Sequence, residues 1–347
     1  MNIGIIGCGK IAQVRHIPEY AENPNATLVG FFDLNKDRAR ELAQEYGGKA
    51  YDSIEDLFND PDIEAVSVCT SNNTHAAISI QGLEAGKNVL CEKPMATTLA
   101  DCEEMVRTAK KTGKSLMIGH NQRLLPAHIK ARELIKDGAI GNVITFRTAF
   151  GHGGPEKWSI DPGPNTWFFD RKMTNMGALA DVGIHKVDLI HFLTDQKITE
   201  VTAKVETLDK RGSDGNLIQV DDNAICIFRT SGGAFGSLIA SWTYYGKDEN
   251  YTVLYGTQGI LRIYDDPNHP LVKIDPDGTV TYIETDDTQL DGLALKSGLI
   301  DAWISALMQD SGPALTGEDA LASMRAVFAC FQSSEEGRTI DIPQNRV

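Results

Sequence analysis

Three groups of residues have the types and spacing to do chemistry. Gly7-Cys8-Gly9-Lys10-Ile11-Ala12 lies between an apolar run and an amphipathic stretch, the G-x-G-x-x-A arrangement that cradles a pyrophosphate between a first strand and a first helix. Gly7 would make the tight turn and Gly9 would let backbone approach the phosphates. Ala12 would let the helix pack closely, with Lys10 and Ile11 at the helix N-terminus facing the anion. Asp33 follows 21 residues after Ala12, where a carboxylate accepts hydrogen bonds from the adenosine ribose hydroxyls and repels a 2′-phosphate. The pattern predicts NAD in preference to NADP. Lys36 and Arg38 argue the other way, and Asp33 could also serve only as a helix cap.

The second group is Glu92-Lys93-Pro94, which places an ionisable amine at the carboxyl end of a strand, where open α/β sheets bind ligands. The third is Asp181 and His185, four residues apart and so on one face of a helix, one turn from each other. Alone, such a pair is more often a structural hydrogen bond; beside a lysine in a nucleotide cleft, catalysis becomes the stronger reading. Oxidising a secondary alcohol sends hydride to nicotinamide and needs a base for the hydroxyl proton. His185 is expected to be that general acid/base, with Asp181 orienting it and Lys93 stabilising the developing alkoxide. If Lys93 is the base instead, burial or a neighbouring cation must help it release its proton.

These residues need two domains to carry them, and 347 residues suffice for two cores. The 41% hydrophobic and 23% charged fractions suit a water-soluble chain, and no apolar run reaches the ~18 residues of a membrane span. A formal charge of -15 opposes binding to nucleic acid or anionic membranes and makes a polyanionic substrate a poor fit. The start carries neither a basic region nor a cleavage site, so a cytoplasmic location is expected. The six cysteines are scattered and read as reduced packing residues, and no metal site is expected.

Short β-branched runs at 2–6, 27–32, 65–70, 88–91 and 115–119 alternate with helical periodicity at 13–22, 37–46, 74–85 and 99–111. The pattern predicts a doubly wound Rossmann domain over 1–122. After a helix at 127–136, longer strands are expected at 143–150, 201–208, 224–229, 235–244, 252–255, 260–264, 272–274 and 280–283, then helices at 294–309 and 317–335. Residues 123–347 are therefore expected to form an α+β domain with a large, mainly antiparallel open sheet, giving an α/β chain overall.

Strand, fingerprint, helix and then Glu92-Lys93-Pro94 resemble the glucose-fructose oxidoreductase and inositol dehydrogenase (Gfo/Idh/MocA) family, and the resemblance runs through nearly the whole chain. Three further motifs carry it. Thr70-Ser71-Asn72-Asn73-Thr74-His75 is similar to the family's Thr-x-Asn-x-x-His loop, with its Asn offset. Gly119-His120-Asn121-Gln122-Arg123 resembles the segment that leaves the nucleotide domain, and 177–188 resembles the Gly-(Gly/Ala)-Leu-x-Asp-x-Gly-x-His-x-x-Asp signature. The resemblance implies that Thr70, Asn73, His75, Glu92, Lys93 and Asn121 line the cofactor and that Asp188 is structural. Arg123 is either a cleft residue or half of a domain-bridging salt bridge. It also places His152, Trp158, Trp167 and Tyr244 near the substrate, although each could be an ordinary core aromatic, and it makes 151–164 a cleft-forming loop.

The family implies an NAD-dependent dehydrogenase or reductase acting on a secondary hydroxyl of a sugar, sugar derivative or cyclitol. Two alternatives stand beside it: an NAD-retaining enzyme that cleaves glycosides by oxidation, elimination and reduction, and a non-catalytic NAD-sensing regulator. Family members commonly pair through the second domain's sheet, so a homodimer or homotetramer is expected.

Overall fold

The computed structural model describes residues 1–285, 296–309 and 315–344, and the first residues of the helix expected from 294 lie outside them. The chain divides into two compact units: residues 1–121 with 296–321, and residues 122–285 with 322–344, taking the described residues of each.

In the first unit, among the described residues, six strands form one parallel sheet in the order Lys49–Ala50, Thr27–Phe32, Asn2–Ile6, Ala65–Val68, Asn88–Cys91, Leu116–Ile118. This is the doubly wound dinucleotide-binding order, whose ligands sit outside the carboxyl ends of the strands. The central strands carry apolar runs because helices cover both faces of a parallel sheet; Ile3, Ile5, Ile6, Val66 and Val68 are all buried. Lys49–Ala50 and the helix Ile54–Asn59 were not legible in the sequence, being two and six residues long. Glu19 ties the late segment to this unit: its carboxylate accepts from the Ser297 and Ile300 N–H groups at 2.7 and 3.3 Å, at the start of helix Leu299–Gln309.

The expected helix over 13–22 is two structures. Ala12–His16 is a π-helical turn, and an α-helix follows over Ile17–Glu22. A 3.6-residue period does not register the difference, because the apolar face changes little over a single wide turn.

The second unit contains, among the described residues, a nine-stranded sheet. Its order is Val280–Ile283, Leu271–Ile274, Gly259–Ile263, Glu249–Gly256, Val143–Gly151, Phe235–Ser241, Asn223–Thr230, Ile198–Glu206, Ile340–Asp341. Every pairing is antiparallel except Val143–Gly151 with Phe235–Ser241. The strand read as 235–244 ends at Ser241, although the Trp242 N–H still reaches the Asp222 carbonyl, the next residue in the same register, at 2.8 Å. One face of the sheet packs against Ile184–Thr194; along Asn223–Thr230 the buried residues Ala224, Cys226 and Phe228 alternate with exposed Ile225 and Ile227. Among the described residues no helix is long and apolar enough to cross a membrane.

Candidate active site

In the first unit, Gly7 has φ +88°, and a Cβ there would lie 2.7 Å from the Cys69 carbonyl group, so the turn requires glycine. At Gly9 no described atom beyond the glycine and its two chain neighbours lies within 4 Å of the position a Cβ would take; the loop is open where the fingerprint needs a phosphate to approach. Lys10 is exposed and Ile11 half-buried at the helical start. Asp33 accepts from the Cys8 N–H and the Asn35 N–H, both at 2.7 Å, and Arg38 lies 3.8 Å from its carboxylate. It is therefore fastened to the glycine loop at the end of its strand. The alternative role as a helix cap falls to Asn35, whose side chain accepts from the Arg38 N–H at 3.2 Å. Lys36 is paired on the surface with Asp52.

The Thr70 hydroxyl accepts from Thr74 at 2.7 Å, and exposed Asn73 accepts from Ser71 at 2.8 Å. His75 is buried, with its ring nitrogens 2.8 Å from the Pro94 carbonyl and 3.1 Å from the Thr70 carbonyl, so it straps the loop to the turn that carries Lys93. Burial pushes its pKa below the usual histidine range, despite these two carbonyls favouring the charged ring. Asn121 is buried beside Gly119.

Glu92 is the centre of a buried network. One carboxylate oxygen is 2.9 Å from His16 Nε2, and the other accepts from the Lys93 backbone N–H at 3.0 Å. His16 Nδ1 faces Ser67 Oγ at 3.3 Å, and Ser67 is bonded in turn to the Tyr20 hydroxyl at 2.8 Å. Gly119 makes room: a Cβ there would lie 3.1 Å from Glu92 Oε1. Burial drives the Glu92 pKa upward, yet the hydrogen bond and Coulomb attraction of His16, joined by Arg15 and Lys93, hold it at about 2. The carboxyl is a fixed anion behind Lys93. His16 escaped the sequence reading because it looks like one more helix residue; its place on a π-turn is what aims it at Glu92.

In the second unit, Leu179–Gly183 is likewise a π-helical turn and Ile184–Thr194 continues as an α-helix, so Asp181 and His185 straddle the junction instead of sharing one regular helix. The local sequence explains this start. Asp221 accepts from the Gly177 and Leu179 N–H groups at 2.6 and 2.8 Å, and a Cβ on Gly177 would lie 1.9 Å from the Asp221 carbonyl oxygen. Burial lifts the Asp221 carboxyl to about 6 against the pull of those two N–H groups. Gly183 lets the turn press on the sheet, since a Cβ would meet Leu179 at 2.7 Å and Ala240 at 3.1 Å.

Asp181 is buried. Trp242 Nε1 donates to its Oδ2 at 3.0 Å, and His152 Nε2 is 3.7 Å from the same oxygen. The His152 ring lies 6.0 Å from both Phe150 and Trp158, and Phe150 is 6.1 Å from His185. Trp158 meets Phe168 edge-on at 5.2 Å, and Trp167 stacks on Phe168 at 3.9 Å. Tyr244 lies over Gly151, where a Cβ would be 2.5 Å from its ring. Within this unit His152 thus lies beside Asp181, Trp158 and Trp167 join it through the ring contacts, and Tyr244 sits over Gly151, the residue before His152. Arg123 is buried, with its guanidinium fork on Asp188; the salt bridge therefore forms inside the second unit and gives Asp188 its structural role. Trp242, Phe150 and Asp221 were missed, because nothing in the sequence around them marks which distant residue they reach.

Comparison with known proteins bears on both units. Residues 1–120 match the model of an oxidoreductase family with an NAD-binding Rossmann fold, and residues 128–262 match the GFO/IDH/MocA C-terminal domain. Levoglucosan dehydrogenase of Pseudarthrobacter phenanthrenivorans is 30% identical over 75% of this chain and 73% of its own. The chain belongs to the Gfo/Idh/MocA family. Myo-inositol 2-dehydrogenase of Thermotoga maritima is 29% identical across 99% of both chains. A solved levoglucosan dehydrogenase, in complex with NADH and L-sorbose, is 25% identical with a TM-score of 0.88, covering 99% of both chains. The protein is an oxidoreductase whose first domain is an NAD-binding Rossmann domain, and its Gly7–Asp33 geometry fits that cofactor.

Proposed function

We propose that this family member is an NAD-dependent dehydrogenase or reductase that moves a hydride between nicotinamide and a secondary hydroxyl of a sugar, sugar derivative or cyclitol. The observation that carries it is the setting of Asp181: a buried carboxylate held by Trp242 Nε1, beside His152 and one turn from His185. NAD, when bound, accepts or returns the hydride. His185 takes the hydroxyl proton as the alcohol is oxidised and returns it in the reverse direction. Asp181 orients the imidazole for that transfer. Lys93, set by the Glu92 anion and the His75 strap, donates a hydrogen bond to the oxygen that becomes negative. Asp33, fastened to the glycine loop, receives the adenosine ribose, which favours NAD over NADP. Gly7, Gly9, Lys10 and Ile11 hold the pyrophosphate, while Thr70, Asn73 and Asn121 line the nicotinamide side.

The relatives named inositol and levoglucosan dehydrogenases support a neutral polyhydroxylated substrate. A cytoplasmic location suits six free, buried cysteines. Pairing through the sheet suits exposed Ile225, Ile227 and Phe235 on neighbouring strands, and sedimentation at micromolar concentration tests it.

A panel of sugars, sugar lactols and inositols with NAD, read as NADH formation, tests the reaction. His185→Ala is expected to lower kcat by ~100-fold or more on the best substrate. Normal turnover and an unchanged pH profile in that variant would remove His185 as the base. Glycosidic cleavage without net NADH would replace the dehydrogenase reading with the NAD-retaining one.

A further inference from the structure

The rings beside Asp181 close into a circuit. Trp242 bonds Asp181 and packs edge-on to Phe168 at 6.4 Å; Phe168 meets Trp158; Trp158 meets His152; and His152 returns to Asp181. Trp242 is fully buried and roots the circuit, whereas Trp158 is 40% exposed at its outer edge.

An exposed indole on a slack loop would mean little, but this loop is pinned. The Trp158 and Ser159 N–H groups donate to the Pro155 carbonyl at 3.2 and 2.9 Å, and Gly163 N–H donates to the Glu156 carbonyl at 2.8 Å. Thr166 Oγ1 donates to Ser159 Oγ at 3.0 Å, both residues being buried. Lys210 clamps the base of the loop, paired with Glu156 and donating to the Gly153 carbonyl at 2.7 Å. Ordering a loop so firmly while leaving part of a large apolar ring in water leaves a driving force for something to cover it.

We infer that the Trp158–Phe168 wall is a stacking subsite for a second sugar ring, so that the substrate is a disaccharide or other glycoside rather than a single free ring. Indole faces suit the C–H faces of pyranoses. The neighbouring side chains favour a neutral occupant: Asp181 and Glu156 bring carboxyl groups, Lys210 is engaged by Glu156 and Gly153, and Lys157 sits 5.5 Å over the Tyr245 ring. Lys210, the buried lysine at the base of the loop, is already engaged and so is not offered to a sugar phosphate. The inference rests on the carbohydrate reading above.

The test compares cellobiose, maltose and lactose with their constituent monosaccharides in wild type, Trp158→Ala and Trp158→Phe. Two readouts are taken: NADH formation, and quenching of intrinsic fluorescence by sugar alone. At least one disaccharide is expected to exceed its monosaccharides in kcat/KM by about five- to tenfold. Trp158→Ala is expected to lower the disaccharide value by that factor more than the monosaccharide value, with Trp158→Phe recovering part of it. Equal losses on both sugars, or no disaccharide preference in wild type, overturn the subsite while leaving the dehydrogenase reading intact. Trp158-dependent quenching by a disaccharide without NADH formation keeps the subsite and overturns the redox reading. Neither quenching nor oxidation across the panel overturns both.

Discussion

Glu92 and Lys186 are buried ionisable side chains, one in each unit, and each adjoins a candidate catalytic residue, Lys93 and His185. They meet burial in opposite ways. Glu92 is surrounded by His16, the Lys93 N–H and the more distant charges of Arg15 and Lys93, so it stays ionised with a pKa near 2. Lys186 Nζ finds no hydrogen-bond partner among the described residues; it lies 5.9 Å over the Phe150 ring, and burial pushes its pKa down to about 7. From the Pro126–Lys136 helix the titratable His128 interacts with it, itself held at about 3 by burial and then by the Lys186 charge. A buried charge persists only where the fold supplies partners; elsewhere the group gives up its charge. One unit thus places a permanent anion beside Lys93, while the other keeps next to His185 an amine that has given up about half its charge at pH 7.

Lys186→Met should break the comparison most visibly. The folded pKa lies below the unfolded one, so between about pH 7 and 10.5 the unfolded chain binds a proton that the folded chain has released. Stability therefore rises with pH through that window, and the penalty is full below it. Removing the amine should stabilise the protein by about 4 kcal/mol at pH 7 and flatten that rise. Denaturant unfolding at pH 7 and pH 10 in both proteins measures it; equal pH slopes would show that Lys186 is solvated or paired.

Glu92→Gln should act with the opposite sign. Its folded pKa is depressed, so its contribution is fully present above about pH 4.5 and is lost as pH falls toward 2. The variant should lose about 3 kcal/mol at neutral pH and show a shallower decline in acid than wild type. A neutral-pH stability equal to wild type would mean that the His16 contact carries no net charge interaction.

How far these features were legible depends on how locally they are encoded. The parallel sheet was readable because its strands are contiguous β-branched runs, and the glycine loop because turn, close approach and helix start follow within six residues. The Glu92-Lys93-Pro94 turn and the Asp181 and His185 pair were readable as motifs. Their supports were not. Asp221 caps a turn 42 to 44 residues earlier in the chain, Trp242 reaches Asp181 across 61, and His16 reaches Glu92 across 76. No periodicity encodes such partners, and a π-turn leaves almost the same hydrophobic pattern as an α-turn. Arg123 shows the converse: its type suggested either a cleft role or a bridge, and only the bidentate contact with Asp188 shows what holds its charge.

The smallest expected effect sharpens the comparison by making Glu92 resemble Lys186. His16→Phe fills the buried space but removes one partner, leaving Glu92 with the Lys93 N–H and the charges of Arg15 and Lys93. The carboxyl should then titrate higher than in wild type, so that part of its acid-sensitive stability is lost at a higher pH. The cost at neutral pH should be about 1.5–3 kcal/mol, the range for one hydrogen bond to a charged group. Combined with Glu92→Gln, the loss should be less than the sum of the two single variants, because both remove the same contact. If His16 positions Lys93 through Glu92, kcat should fall while the dissociation constant for NADH stays near wild type. Strict additivity in stability, or a loss confined to NADH binding, would separate His16 from Lys93 and leave it as packing for the nucleotide helix.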